Sequence, residues 1–184
     1  MIKAETDSEF EKALHDALLS FRCEQDKDIE DFLHNKAIDF FNRGWCSVYI
    51  LFNEEAFNNK SLVIEAYFTL SHKSLVSDPE TMSLNAIKQY GGFKSAKTLN
   101  FVLIGQLGKW VVGNEDEGYT RSSVSSKEIL DKAFEIIHSA AELIPCRHTM
   151  VECSDNPKVI KAYTDYGFRF FQKDGEHNQY CKLI

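Results

Sequence analysis

Residues Val151 to Phe171 read VECSDNPKVIKAYTDYGFRFF, an apolar strand that runs straight into Asn-Pro, a short helix, a tyrosine and Gly-Phe. Asn156 is placed to cap the helix, because its side chain can accept from a backbone N–H that the first turn leaves open, and Pro157 fits that turn. Gly167, just past the last helical residue, suits a C-terminal cap. The strand before it is RHTMVEC, and after it FRFFQKDGEHNQYCKLI carries Asp174-Gly175 between two strand-like runs, which predicts a hairpin. A strand, helix, strand unit predicts a parallel pair with a right-handed crossover.

Upstream, the apolar positions Ile129, Leu130, Ala133, Phe134, Ile137, Ala140, Ala141 and Ile144 fall at helical spacing and predict a helix over Ser126–Ile144. Ser125 with Glu128 forms a capping box at its start. The strand TLNFVLIGQLGKWVV precedes it, joined by the polar loop GNEDEGYTRSSVSS. Further back, WCSVYILFN and SLVIEAYFTLSH predict two antiparallel strands, with turn residues NEEAFNNK between them. Between the strands, Ser77 to Lys97 has only a short helical patch around Met82 to Tyr90, ended by Gly91-Gly92, and is expected to be a mobile segment on the substrate side. Two helices open the chain. One spans Ser8–Ser20 with Phe10, Ala13, Leu14, Ala17 and Leu18 on one face. The other starts near Asp26 or Asp28, places Ile29, Phe32, Leu33, Ala37, Phe40 and Phe41 on one side, and stops at Gly44.

A chain of 184 residues with 43% hydrophobic and 27% charged residues can bury one core, so a single domain over 1–184 is expected, neither disordered nor fibrous. No apolar run reaches the roughly 20 residues that a membrane span needs. The acidic, helix-patterned start lacks the features of a secretory leader, so a cytoplasmic protein is expected. Five scattered cysteines without a C-x-x-C pair read as reduced, mostly buried thiols. The six histidines form no metal-ligand pair on one element, and no metal is expected. A net charge of −7 argues against broad binding to nucleic acid and suits a cationic amine substrate.

A strand, polar loop and helix N-terminus form a phosphate-competent arrangement, since free N–H groups and the positive end of the helix dipole face the loop. Beyond it stands the pattern N-x-x-x-I-x-x-Y-x-x-x-G-F, carried by Asn156, Ile160, Tyr163, Gly167 and Phe168. This order resembles the GNAT superfamily of N-acetyltransferases. The stretches FRCEQDKDIEDFLHNKAIDFF and VIEAYFTLSHKSL resemble the branch that includes bacterial toxin-type acetyltransferases. The resemblance implies a single-domain α/β GNAT-like fold: a mixed, mostly antiparallel sheet with a splayed central parallel pair, helices on both faces and a C-terminal β-hairpin.

It also implies acetyl-coenzyme A as cosubstrate. Its pantetheine arm would meet the backbone of Leu107 and Lys109, and its pyrophosphate the loop Arg121, Ser122, Ser123, Val124, Ser125 and Ser126. The superfamily's Q/R-x-x-G-x-G/A form has glycines where this chain has Val124 and Ser126, and Glu115, Asp116 and Glu117 add negative charge nearby. Asn156 is read either as a cap alone or also as a contact to the pantetheine.

Tyr163 is read as the general acid that protonates the departing thiolate, against the alternative of a packed ring with a bonded hydroxyl. Glu65, Glu152 or water are open as general base, and none need act as one. Tyr67, Thr69 and Ser71 either line the acceptor side or simply alternate on a half-solvated strand. The expected function is direct acetyl transfer from acetyl-coenzyme A to a primary amine. The amine belongs to a small molecule, a protein or the aminoacyl group of a charged tRNA. A homodimer is one form such a protein could take. The rivals are a noncatalytic acyl-coenzyme A binding or protein-interaction module, and a related α/β fold that binds no coenzyme A.

Overall fold

The computed structural model describes residues 8–144 and 146–184; the first seven residues, which carry part of the reading against a leader, lie outside the described residues. In chain order the elements are α1 (Ser8–Ser20), α2 (Lys27–Asp31), α3 (Ala37–Asn42), β1 (Ser47–Phe52), α4 (Glu54–Asn58), β2 (Ile64–Val76), α5 (Leu84–Gly91) and β3 (Thr98–Lys109). They continue with β4 (Val111–Asn114), β5 (Gly118–Arg121), α6 (Ser126–Ala141), β6 (His148–Cys153), α7 (Pro157–Asp165), β7 (Arg169–Asp174) and β8 (His177–Leu183). Six strands form one sheet in the order β1-β2-β3-β6-β8-β7, and β4 pairs with β5. The ladder is parallel between β3 and β6 and antiparallel between β6 and β8 and between β7 and β8.

Two compact units divide the chain: residues up to Phe68 with Gln106–Ser125, and Thr69–Gly105 with Ser126–Ile184. In the first, Ala17, Leu18 and Phe21 from α1 and its end bury against Phe32, Leu33, Ala37, Ile64 and Tyr67. The sequence predicts one helix from about Asp26 to Gly44. In its place, a π-helical turn at Phe32–Lys36 separates α2 from α3. One extra residue in that turn rotates everything after it by about 100°. Ala37 is buried as expected, but Phe41, expected on the same face, is swung out to solvent. The parallel bridge Cys23↔Val111 joins the segment after α1 to β4.

The expected turn NEEAFNNK is the helix α4, capped by Asn53. The expected polar loop before α6 is mostly a hairpin: Val111, Val112, Gly113 and Asn114 pair with Arg121, Thr120, Tyr119 and Gly118. Gly113 stands at φ +111°, with the Gly118 carbonyl so close that no side chain would fit.

In the second unit, Ile87 of α5 is fully buried with Ala96, Leu99, Phe101, Met150 and Cys181. The stretch expected to be mobile is therefore anchored by a helix, capped by Ser83 and ended by Gly92 in the left-handed region. α6 buries the first part of the expected face, Ile129, Leu130, Ala133, Phe134 and Ile137, but it ends at Ala141 and not at Ile144, and Ala140 and Ile144 are exposed. The parallel register pairs Val102, Leu103 and Ile104 with Thr149, Met150 and Val151; β3 runs on to Lys109 and β6 to Cys153. The expectation that strands flanking α7 form a parallel pair is corrected, because β8 lies between β6 and β7. Asn178, Gln179, Tyr180 and Cys181 of β8 are buried whereas β7 is largely exposed, so the hairpin folds β8 inward and leaves β7 at the edge.

Candidate functional site

Three candidate groups are built by the second unit around the end of β6. Asn156 caps α7, its Oδ1 accepting from Lys158 N at 3.0 Å, so the capping role is real and the Nδ2 group is left over. α7 then carries Tyr163 inward, 8% exposed, with its ring edge-on to Phe168 at 5.7 Å and 66°. Gly167 makes this turn possible: at φ +99° it lets the Phe168 N–H return to the Tyr163 carbonyl at 3.0 Å. Phe168 packs in turn against Phe134 of α6.

The Tyr163 hydroxyl makes no hydrogen bond among the described residues, while burial, with a smaller contribution from Cys153, pushes the phenol well above its ordinary value. The phenol therefore keeps its proton at any physiological pH and has it free to donate. Cys153 is itself buried and pushed up by burial and by Asp155, so it offers no thiolate here.

Beside these, Glu152 is half-buried and engaged. Its Oε1 accepts from Lys73 Nζ at 2.7 Å and from the fully buried Gln179 at 2.6 Å. Gln179 Oε1 accepts from Gln172 at 2.8 Å, and Asp155 takes Asn178 and Lys173. Lys73 and Gln179 were not singled out in the sequence, and their polar flanks, His72 and Ser74 for the one and Asn178 for the other, gave no signal for them. Among the described residues, two buried side-chain atoms lack partners, His148 Nδ1 and Thr149 Oγ1.

Of the three residues expected to line the acceptor side, Tyr67 is corrected to a core position in the first unit. It is 0% exposed, stacks with Phe32, meets Phe21 edge-on and donates its hydroxyl to the Ile29 carbonyl at 2.6 Å. Gly108 permits that packing, because a Cβ there would collide with Ile29 Cγ2 and come within 3.0 Å of Tyr67 Cε1. Thr69 is also buried, and Ser71 alone of the three is partly exposed.

The first unit holds the remaining candidate cosubstrate residues up to Ser125, and Ser126 belongs to the second. Leu107 and Lys109 end β3, and Lys109 Nζ donates to the Val124 carbonyl at 3.3 Å. Arg121 ends β5, its guanidinium 4.9 Å over the Tyr119 ring, with no ion pair among the described residues. Ser122 N donates to Trp110 O at 2.9 Å, and Ser122 Oγ accepts from Val124 N at 3.1 Å. Among the described residues Lys60 is the only non-glycine with positive φ, so Val124 and Ser126 stand where glycines were expected without the backbone conformation that favours glycine. Ser125 and Ser126 lead into α6 as expected.

An open hollow of about 470 Å³ lies at the other end of α6, lined by His138, Glu142, Cys146 and Arg147, and contains none of the candidate residues. Among the described residues, no three His, Cys, Asp or Glu side chains are grouped to hold a metal ion, and no helix is long and apolar enough to cross a membrane.

No protein-family model matches the chain, and no curated protein matches it. Solved structures do. The toxin AtaT complexed with acetyl-methionyl-tRNAfMet is 18% identical with a TM-score of 0.67, over 90% of this chain and 86% of that one. AtaTR bound with acetyl-CoA is 18% identical, TM-score 0.62, over 90% and 84%. A tyrosine-to-phenylalanine variant of KacT is 15% identical, TM-score 0.63, over 90% and 86%. The chain thus has the α/β fold of the GNAT-type toxins, with its parallel β3–β6 pair and C-terminal hairpin.

Proposed function

We propose that the chain, as one domain over 1–184, is an acetyl-coenzyme A dependent N-acetyltransferase that moves the acetyl group directly to a primary amine. The observation that carries this reading is the Tyr163 hydroxyl: protonated and without a hydrogen bond among the described residues, on a largely buried ring of the helix after β6, in a fold shared with acetyl-CoA-bound AtaT. The free amine attacks the acetyl carbonyl carbon, the carbon–sulfur bond breaks, and the Tyr163 proton goes to the departing thiolate sulfur; the nitrogen sheds one proton to water, and the phenolate takes one back from water to close the cycle. Bringing two reactants together supplies most of the rate. The raised thiols of Cys153 and Cys181, the latter pushed up to about 12 by burial, favour direct transfer over an acetyl-cysteine intermediate.

The loop Arg121–Ser126 is the proposed pyrophosphate seat, with Arg121 free to pair with a phosphate oxygen. Backbone groups at Leu107 and Lys109, and the spare Nδ2 of Asn156, are proposed for the pantetheine arm. Ser71 is the proposed acceptor-side residue. Among acceptors, the likeness to AtaT complexed with acetyl-methionyl-tRNAfMet favours the aminoacyl group of a charged tRNA.

The test is free-thiol release from acetyl-coenzyme A across a panel of small amines, peptides and charged tRNAs. The expected result is turnover with an aminoacyl-tRNA. Binding of the thioester with no turnover on any amine would overturn the enzyme reading in favour of a binding module.

A further inference from the structure

The loop Arg121–Ser126 has no glycine, so its shape must be held by side chains, and within the first unit those side chains converge on Glu65. The Glu65 backbone carbonyl accepts from Trp110 N at 2.8 Å, which locks β2 against the residue that follows β3. On one side Oε1 accepts from Asn53 Nδ2 at 2.7 Å; Asn53 cannot swing away, because its Oδ1 caps α4 through Ala56 N at 2.9 Å. On the other side Oε2 faces the hydroxyls of Ser122 and Ser123 at 3.4 and 3.5 Å.

Each hydroxyl contact is long and weak by itself. Together with Ser122 N on Trp110 O and Val124 N on Ser122 Oγ, they hold the start of the loop at several points. We propose that Glu65 is the positioning residue of the pyrophosphate loop, doing by side-chain anchorage what glycines do by conformational freedom. This deepens the acetyl-coenzyme A reading and rests on it. With their protons turned to Glu65, Ser122 and Ser123 leave phosphate recognition to Arg121 and to backbone N–H groups of the loop.

The carboxylate also brings a negative charge near an anionic ligand, so anchorage and repulsion oppose each other. Two substitutions separate them. Glu65→Gln keeps an oxygen for Asn53 and an amide that can bond the serines, and removes the charge. Glu65→Ala removes both.

Calorimetric affinity is measured for acetyl-coenzyme A and for acetyl-pantetheine, which lacks the pyrophosphate. The expectation is about tenfold weaker acetyl-coenzyme A binding for Glu65→Ala and, for Glu65→Gln, affinity within about threefold of the parent. Acetyl-pantetheine affinity should be unchanged in both. Ser122→Ala with Ser123→Ala should reproduce the loss, and adding Glu65→Ala should not deepen it. The proposal is overturned if Glu65→Ala binds acetyl-coenzyme A like the parent or more tightly, if both ligands weaken equally, or if the serine and glutamate losses add. A parent protein that binds neither ligand overturns the acetyl-coenzyme A reading and this proposal with it.

Discussion

Replacing Tyr163 by phenylalanine separates chemistry from packing more cleanly here than the sequence alone suggests. The ring lies against Phe168 and is retained, and the hydroxyl that is lost has no hydrogen bond among the described residues. No partner is therefore stranded, and the usual cost of about 1 to 3 kcal/mol for an orphaned buried group does not arise. Folding stability should stay within about 0.5 kcal/mol of the parent, or rise slightly. If the hydroxyl donates to the departing thiolate, kcat should fall about 10²-fold, equivalent to about 2.7 kcal/mol of transition-state stabilisation, with acetyl-coenzyme A affinity little changed.

Burial raises the Tyr163 phenol, so in the parent the proton remains through pH 10 and kcat should show no alkaline decline from this group. The assay is kcat, thioester affinity and melting temperature measured on one preparation. Full turnover per folded Tyr163→Phe molecule would refute the reasoning. So would a loss of stability of about 2 kcal/mol with turnover intact.

Ser126→Asp, at the start of α6, should weaken acetyl-coenzyme A binding through like charge, read by calorimetry; unchanged affinity would move the pyrophosphate elsewhere. Gly108→Ala should destabilise by about 1 to 3 kcal/mol in denaturant melts, because its Cβ meets Ile29 and Tyr67. Tyr67→Phe should cost about 1 kcal/mol, the net worth of one hydrogen bond, since the Ile29 carbonyl keeps the Phe32 N–H, with turnover per folded molecule retained, as befits a core residue rather than an acceptor contact. His148 is buried with its Nδ1 unpartnered, and burial, then Arg147, holds it below its ordinary 6.5. Below that pH the unfolded chain takes up the proton first. The stability from neutral His148 is thus complete above 6.5 and declines as pH falls beneath it, a slope in melting temperature that His148→Phe should remove.

The periodic elements were legible because their burial is one-sided. The α6 stripe through Ile137 and the Asn156-to-Gly167 unit each lie where the residues put them. What failed to show was decided by contacts distant in sequence. Alternation on β2 cannot tell which face receives α1 and the Phe32 turn, so Tyr67 passed for a site residue when it is core. The acidic run Glu115–Glu117 hid a hairpin whose signal was the pair of flanking glycines, Gly113 and Gly118. The π turn left no mark because a period near 3.6 tolerates one added residue over so short a span. For the site, the motif gave Tyr163 its place but not its missing partner, and Glu65 was legible only as a candidate base. Its contacts to Asn53, Ser122 and Ser123 join residues 12, 57 and 58 positions away.

The central claim, that this chain uses acetyl-coenzyme A, is met most directly by calorimetric titration of the purified protein with that thioester. The account predicts saturable binding that is lost on adding competing coenzyme A in excess. A flat titration with acetyl-coenzyme A and with every other acyl-coenzyme A tried would contradict it.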